Sequence, residues 1–310
     1  MRAPDTTKSP TGLALYNEAA DAACSRVIAT YSTSFGMATR LLGKAVRQHV
    51  VNIYAVVRVA DEIVDGAAAE AHALGGAVDP AIALDAYEAN VYRALADGFS
   101  TDLVVHAFAR SAAACGFGRD LIAPFFASMR ADLSQTEHDQ ESFERYIYGS
   151  AEVVGLMCLA AFLRFGDGGS REYSTEDKTR LVAGARALGS AFQKVNFLRD
   201  IAADFGSLGR SYFPGIKPGH FSTEDRDRIV AEIDSELSLA AATLPLLPRN
   251  CSRAVTAALR LFGELNRKIA ATPADQLVTR RIRVSDARKF VILFRSLVSG
   301  APSNWSLAND

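Results

Sequence analysis

Residues 193–204 read Gln-Lys-Val-Asn-Phe-Leu-Arg-Asp-Ile-Ala-Ala-Asp. Asn196, Asp200 and Asp204 are four apart, and each such step rotates a helix by only about 40° net. The three side chains are therefore predicted to project from nearly one face, with Gln193, three residues before Asn196, joining it. Val195, Phe197, Leu198 and Ile201 fall between the polar positions and can pack the helix into a core. Carboxylates at i,i+4 repel one another. A helix with an apolar back and an all-oxygen front implies a cationic occupant, and oxygen ligands favour a hard divalent ion such as Mg2+. A solvated acidic face on a surface helix is the competing reading of this stretch alone.

A second stretch bears on that choice. Residues 54–65 read Tyr-Ala-Val-Val-Arg-Val-Ala-Asp-Glu-Ile-Val-Asp, placing Asp61 and Asp65 at i,i+4 with Arg58 on the same face. Acidic pairs at this spacing are common on surfaces. Two of them, each in an apolar helix and each accompanied by an arginine, are more specific. The economical expectation is two facing helices with a metal cluster between them and a diphosphate bridging the ions.

Bulk properties are those of a globular enzyme: 310 residues, 49% hydrophobic, 22% charged and a net charge of −1. Near-neutrality gives no reason to expect a nucleic-acid partner. The first residues are polar without a signal-peptide core, and the run from Val153 to Leu163 is about half a membrane span. Cys24, Cys115, Cys158 and Cys251 form no C-x-x-C pair and read as small buried hydrophobes in a reducing compartment. These features lead to an expectation of a cytoplasmic protein in transient contact with a membrane surface.

Period-3.6 patterning runs along the whole chain, with no sustained alternation of period two. Helices are expected over residues 13–30, 43–66, 80–97, 102–115, 119–135 and 141–165, the last interrupted at Gly149 and Gly155. Others are expected to end at Asp204, to start after Ser222 and close near Pro245, and to cover 253–271 and 286–298. Residues 67–79 read as a loop. Ser174 and Ser222, each with acid in the following turn, read as helix caps. The expected organisation is all-α and single-domain: a flexible N-terminus over 1–12, a catalytic domain over 13–300 and a tail over 301–310.

The pairing of Asp61-x-x-x-Asp65 with Asn196-x-x-x-Asp200-x-x-x-Asp204 resembles the squalene/phytoene synthase family. So do Ser32-Thr33-Ser34-Phe35, Tyr-x-Tyr-Gly at Tyr146 to Gly149, Gly-Arg-Ser-Tyr-Phe-Pro at Gly209 to Pro214, and Arg281-Ile282-Arg283-Val284. The details are most similar to the bacterial phytoene synthases within it. The resemblance implies an isoprenoid-synthase helical bundle around a central apolar cavity, where two allylic diphosphates join through a cyclopropylcarbinyl intermediate. It implies Asp61, Asp65, Asn196, Asp200 and Asp204 as metal ligands, for Mg2+ or alternatively Mn2+. Arg58 is the first diphosphate contact, followed by Arg199, Arg210 and Arg281, since arginine binds phosphate oxygens bidentately. Ser32, Ser34, Tyr146, Tyr212 and Gln193 are expected to hydrogen-bond diphosphate, with Tyr146 among the catalytic residues. Phe35, Thr39, Gly149, Ala151, Val154 and Gly155 are expected beside a polyprenyl tail, although close helix packing accounts equally well for the glycines. Glu62 stands where many relatives have aspartate, Phe262 where many have tyrosine, and Lys194 is unexpected beside the metal face. His49, His72, His106, His138 and His220 show no ligand spacing.

The implied reaction converts two geranylgeranyl diphosphates through prephytoene diphosphate to phytoene, with no NADPH. The alternatives are a farnesyl-diphosphate-using relative that makes presqualene diphosphate, squalene or dehydrosqualene, and a non-catalytic binding or assembly protein. Oligomeric state is not legible.

Overall fold

The computed structural model describes residues 11–203, 205, 210–217, 219–279, 281–284, 292 and 296, the side chains of residues 33–35 and 203 excepted. Asp204, the side chains of Ser34 and Phe35, most of the expected helix over 286–298, and nearly all of both expected tails lie outside the described residues. The first part of the chain runs α1 (Leu13–Tyr31), α2 (Thr33–Thr39), α3 (Lys44–Val64), α4 (Ala67–Ala73), α5 (Pro80–Asp97), α6 (Leu103–Cys115) and α7 (Arg119–Ser134). It continues through α8 (Gln140–Ile147), α9 (Val153–Phe165), α10 (Thr175–Ala203), α11 (Thr223–Ala241), α12 (Arg249–Ala270) and α13 (Ala274–Leu277). Among the described residues the only β pairing is an isolated bridge between Glu137 and Ser211. The all-α expectation holds.

Several helix starts are capped by side chains. Asp79 accepts from Ala81 N at 2.8 Å, with Pro80 in the first turn. Ser222 and Asp225 form a reciprocal capping box, and Ser174 Oγ accepts from Asp177 N at 3.0 Å. Residues 67–79, expected as a loop, instead begin with the helix α4. Its alanines carry the highest helix propensity, and Glu62 of the preceding helix reaches forward so that Oε2 accepts from Ala67 N at 3.0 Å. The interruption between α8 and α9 is a π-helical turn over Tyr148–Glu152, while Gly155 lies inside α9 without breaking it.

Two large apolar clusters meet at α9. Leu159 belongs to the one built mainly on α10, α11 and α12, and Met157 to the one built on α3, α5, α6 and α7. Close approach of α9 and α10 depends on two glycines: a Cβ on Gly155 would sit 2.6 Å from the Ala185 carbonyl oxygen, and one on Gly189 2.6 Å from that of Ala151. The helical run Gln140–Gly169 is 30 residues, long and apolar enough to cross a membrane by length and composition. Its apolarity has a local use, since Val153 and Met157 are core while Val154, Cys158 and Phe162 line an internal cavity.

Candidate active site

The polar face of α3 is held by ion pairs along its own length. Arg58 Nη1 lies 2.7 Å from Asp61 Oδ2 and its other terminal nitrogen bonds Glu62, while its guanidinium stacks 4.5 Å from the centre of the Tyr31 ring. Burial pushes the Asp61 carboxyl above its ordinary value; Arg58 opposes this, and the like charges of Asp65 and Glu62 add to it. Beneath, burial also raises the Tyr54 hydroxyl, partly offset by Arg58 and by a hydrogen bond with Ser32.

Asp65, one turn on, is bonded from far along the chain. Arg210 Nη1 lies 2.7 Å from Asp65 Oδ1, and Arg210 Nη2 donates to the Asp132 carbonyl at 2.5 Å. Asp132, on α7 and 5% exposed, was not singled out from the sequence, yet it is the hub here. Tyr146 donates to its Oδ2 at 2.9 Å and Tyr212 to its Oδ1 at 3.4 Å, while the Tyr212 oxygen accepts from Arg210 at 3.4 Å. Burial, with Asp65 and Asp61 adding, raises the Asp132 carboxyl to about 7; Tyr146 and Arg210 oppose it. His138, also passed over, is buried against both rings, 5.1 Å from Tyr146 and 6.0 Å from Tyr212. One signal for Asp132 was available: it continues the buried stripe Ile122, Phe125, Phe126 and Met129 at helical spacing, where a carboxylate is out of place.

The second acidic stretch lies on α10. Tyr212 stacks face to face on Phe197, at 3.9 Å and 5° between planes, so the contact chain Asp65–Arg210–Tyr212–Phe197 joins the two stretches. Asp200 Oδ2 is 2.6 Å from Arg199, and Asp200 Oδ1 is 2.6 Å from Arg281 Nε. Among the described residues of the C-terminal basic group, Arg281 reaches Asp200, and the Arg283 carbonyl accepts from Lys268. Lys194 turns away and pairs with Glu232 and Glu236 of α11, as its helical angle allows.

Gln193 occupies the wall of a pocket of about 250 Å³ lined by α2, α3, the π-helical turn, α9, α10, α11 and α12. Thr39, Ala151, Val154 and Gly155 line it. Gly149 does not. Its missing side chain admits α7, because a Cβ there would sit 2.2 Å from both the Pro124 carbonyl oxygen and Ser128 Oγ. Phe262 stacks on the cavity residue Phe192 at 3.6 Å.

Asp61, Asp65, Asn196 and Asp200 offer oxygen only, and carboxylates that repel one another and are each matched by a guanidinium fit a hard divalent cation with a phosphate ligand. Among the described residues, however, no three His, Cys, Asp or Glu side chains stand close enough to hold an ion as they are. The arginine pairs occupy those carboxylates instead.

Residues 28–216 match the squalene/phytoene synthase family model. The chain is 26% identical over 303 residues to a phytoene synthase of Rhodobacter capsulatus, covering 91% of this chain and 82% of the relative. It is 30% identical over 282 residues to a 15-cis-phytoene synthase of Paracoccus sp., covering 84% and 86%. Among solved structures, a dehydrosqualene synthase in complex with ligand superposes with a TM-score of 0.73 at 21% identity, covering 92% of this chain and 98% of that one. A squalene synthase from Alicyclobacillus acidocaldarius gives 0.68 at 20% identity, covering 84% and 97%. The family match takes in Asp61, Asp65, Asp132, Asp200 and Arg210 together, and so the chain belongs to the squalene/phytoene synthase family of prenyltransferase-type enzymes, which use prenyl diphosphates.

Proposed function

We propose that the protein joins two geranylgeranyl diphosphates head to head, through prephytoene diphosphate, to phytoene, without NADPH and with Mg2+ at the two acidic stretches. The observation that carries this reading is the apolar cavity whose wall includes Gln193, on the helix that bears Asn196 and Asp200, tied through Tyr212 and Arg210 to Asp65. The bacterial relatives named as phytoene synthases support the longer substrate.

Ionising an allylic diphosphate requires stabilising a leaving group with several negative charges. Arg58, Arg210, Arg199 and Arg281 already point at the site through their carboxylate partners, and each guanidinium can donate to phosphate oxygens instead. Bound Mg2+ would supply Lewis-acid neutralisation of the diphosphate at Asp61, Asp65, Asn196 and Asp200. The apolar lining disfavours water beside the allylic cation, and released diphosphate can take the final proton. A hydrocarbon product that water cannot hold makes a cytoplasmic protein in transient membrane contact the matching location.

Incubating the purified protein with Mg2+ and C15 or C20 diphosphate, then identifying the hydrocarbon by mass spectrometry, tests this. A C40 product without NADPH is expected. A C30 product, with the C20 substrate ignored, would overturn the assignment. Asp61→Ala and Asp200→Ala are each expected to lower turnover by about 100-fold or more while leaving the helical circular dichroism intact.

A further inference from the structure

We infer that Asp132 is a positioning residue that fixes the hydroxyls of Tyr146 and Tyr212, so that their oxygens face the site as acceptors. Neither the family match nor the acidic motifs assign it a role. The inference deepens the reaction proposed above and rests on that reading.

Each phenol has one proton. Tyr146 directs its proton to Asp132 Oδ2 at 2.9 Å and Tyr212 directs its own to Asp132 Oδ1 at 3.4 Å. With both protons given to one carboxylate, the two oxygens have only lone pairs left to offer. The Tyr212 oxygen already uses one, accepting from Arg210 at 3.4 Å. Lone pairs suit positive charge, such as a guanidinium or an allylic cation. They do not suit diphosphate oxygens, so the donor role expected of Tyr146 and Tyr212 from their residue type does not fit this arrangement. The same residue sets Arg210 as well, because its carbonyl accepts from Nη2 at 2.5 Å while Nη1 is held on Asp65.

Fold stability does not explain the carboxylate. Asp132 is 5% exposed, with the charges of Asp65 and Asp61 near it; Arg210 offsets them in part but bonds its carbonyl, and among the described contacts no cationic side chain bonds its carboxylate oxygens. A buried acid held only by neutral hydroxyls is costly to desolvate, and a neutral residue of the same shape is often as stable or more so. Its placement beside two tyrosines and an arginine of the site accounts for it better.

The test compares wild type with Asp132→Asn, alone and combined with Tyr146→Phe and Tyr212→Phe, in protein labelled with 3-fluorotyrosine. Three results are expected for Asp132→Asn. Its kcat falls about 10- to 100-fold with KM within about threefold. Its Tm is unchanged or higher at pH 7.5. The fluorine resonances of Tyr146 and Tyr212, assigned from the Phe variants, both move. On the double-Phe background Asp132→Asn is expected to cost less than about threefold more, since the hydroxyls it orients are gone. If Asp132→Asn does not fold, Asp132→Glu, which keeps the charge but displaces the acceptors by one methylene, is expected to show the same kcat loss and resonance shifts. Wild-type kcat in the folded variant, unmoved resonances, or losses that multiply on the double-Phe background would each overturn the inference. If wild type turns over neither the C15 nor the C20 diphosphate, the reaction proposed above fails, and the resonances still decide whether Asp132 sets the tyrosines.

Discussion

Arg58 is held on three sides, by Asp61, by Glu62 and by the ring of Tyr31, before any substrate arrives. Glu62, which stands where many relatives have aspartate, acquires two tasks: it grips Arg58, and its second oxygen starts α4 at Ala67. Both follow from the extra methylene that glutamate has over aspartate. At Asp132 the residue scale also gives a pH dependence. Its carboxyl rises from 3.8 to about 7 on folding, chiefly through burial. Between those values the folded chain keeps a proton that the unfolded chain has lost, so this stability contribution is full below about pH 4 and is lost as pH rises through about 7. Calorimetry of the metal-free protein is therefore expected to show Tm falling between about pH 4 and 7, with a shallower fall in Asp132→Asn. Equal slopes in the two proteins would contradict the assignment of that titration to Asp132.

At the scale of the element, α10 is a helix with two different polar faces. One carries Gln193, Asn196 and Asp200. The other carries Ser190 and Lys194, which bind Glu232 and Glu236 of α11; Ser190 Oγ is 2.7 Å and Lys194 Nζ also 2.7 Å from Glu236 Oε1. Burial alone would lower the Lys194 ammonium, but the two glutamates more than offset this and hold it above its ordinary value. This buried pairing fixes the rotation of α10 and thereby the direction of its acidic face. Lys194→Met leaves Glu236 buried with only the Ser190 hydroxyl and no cation, and is expected to destabilise the fold by about 2–4 kcal/mol, less than a fully enclosed pair because Glu232 is half in water. Urea unfolding measures it, and a loss below about 0.5 kcal/mol would show that the pair does not brace the helix.

At the scale of the whole molecule, residues of six helices line the pocket, and α12 contributes Ala254, Val255 and Ala258 to its wall. Filling it from that wall with Ala258→Phe is expected to cut C20 turnover about tenfold while sparing the C15 substrate. Competition assays with both diphosphates read the ratio, and an equal loss on both would place the tail elsewhere.

Helix periodicity, the acidic spacings and the caps at Ser174 and Ser222 were legible because each is a relation between residues within a few turns of one another. The same locality made Asp61 with Asp65 and Asn196 with Asp200 visible as faces. Asp132 escaped because its partners lie 14 and 80 residues away, and the two readings of Gly149, helix packing or a place beside the tail, could not be told apart because the backbone that needs its missing Cβ belongs to α7. Local chemistry in the chain determined which residues can make helices and acidic faces. Only the tertiary structure decided which far-off groups meet those faces, because burial, desolvation and the direction of a hydroxyl proton depend on neighbours brought together by packing.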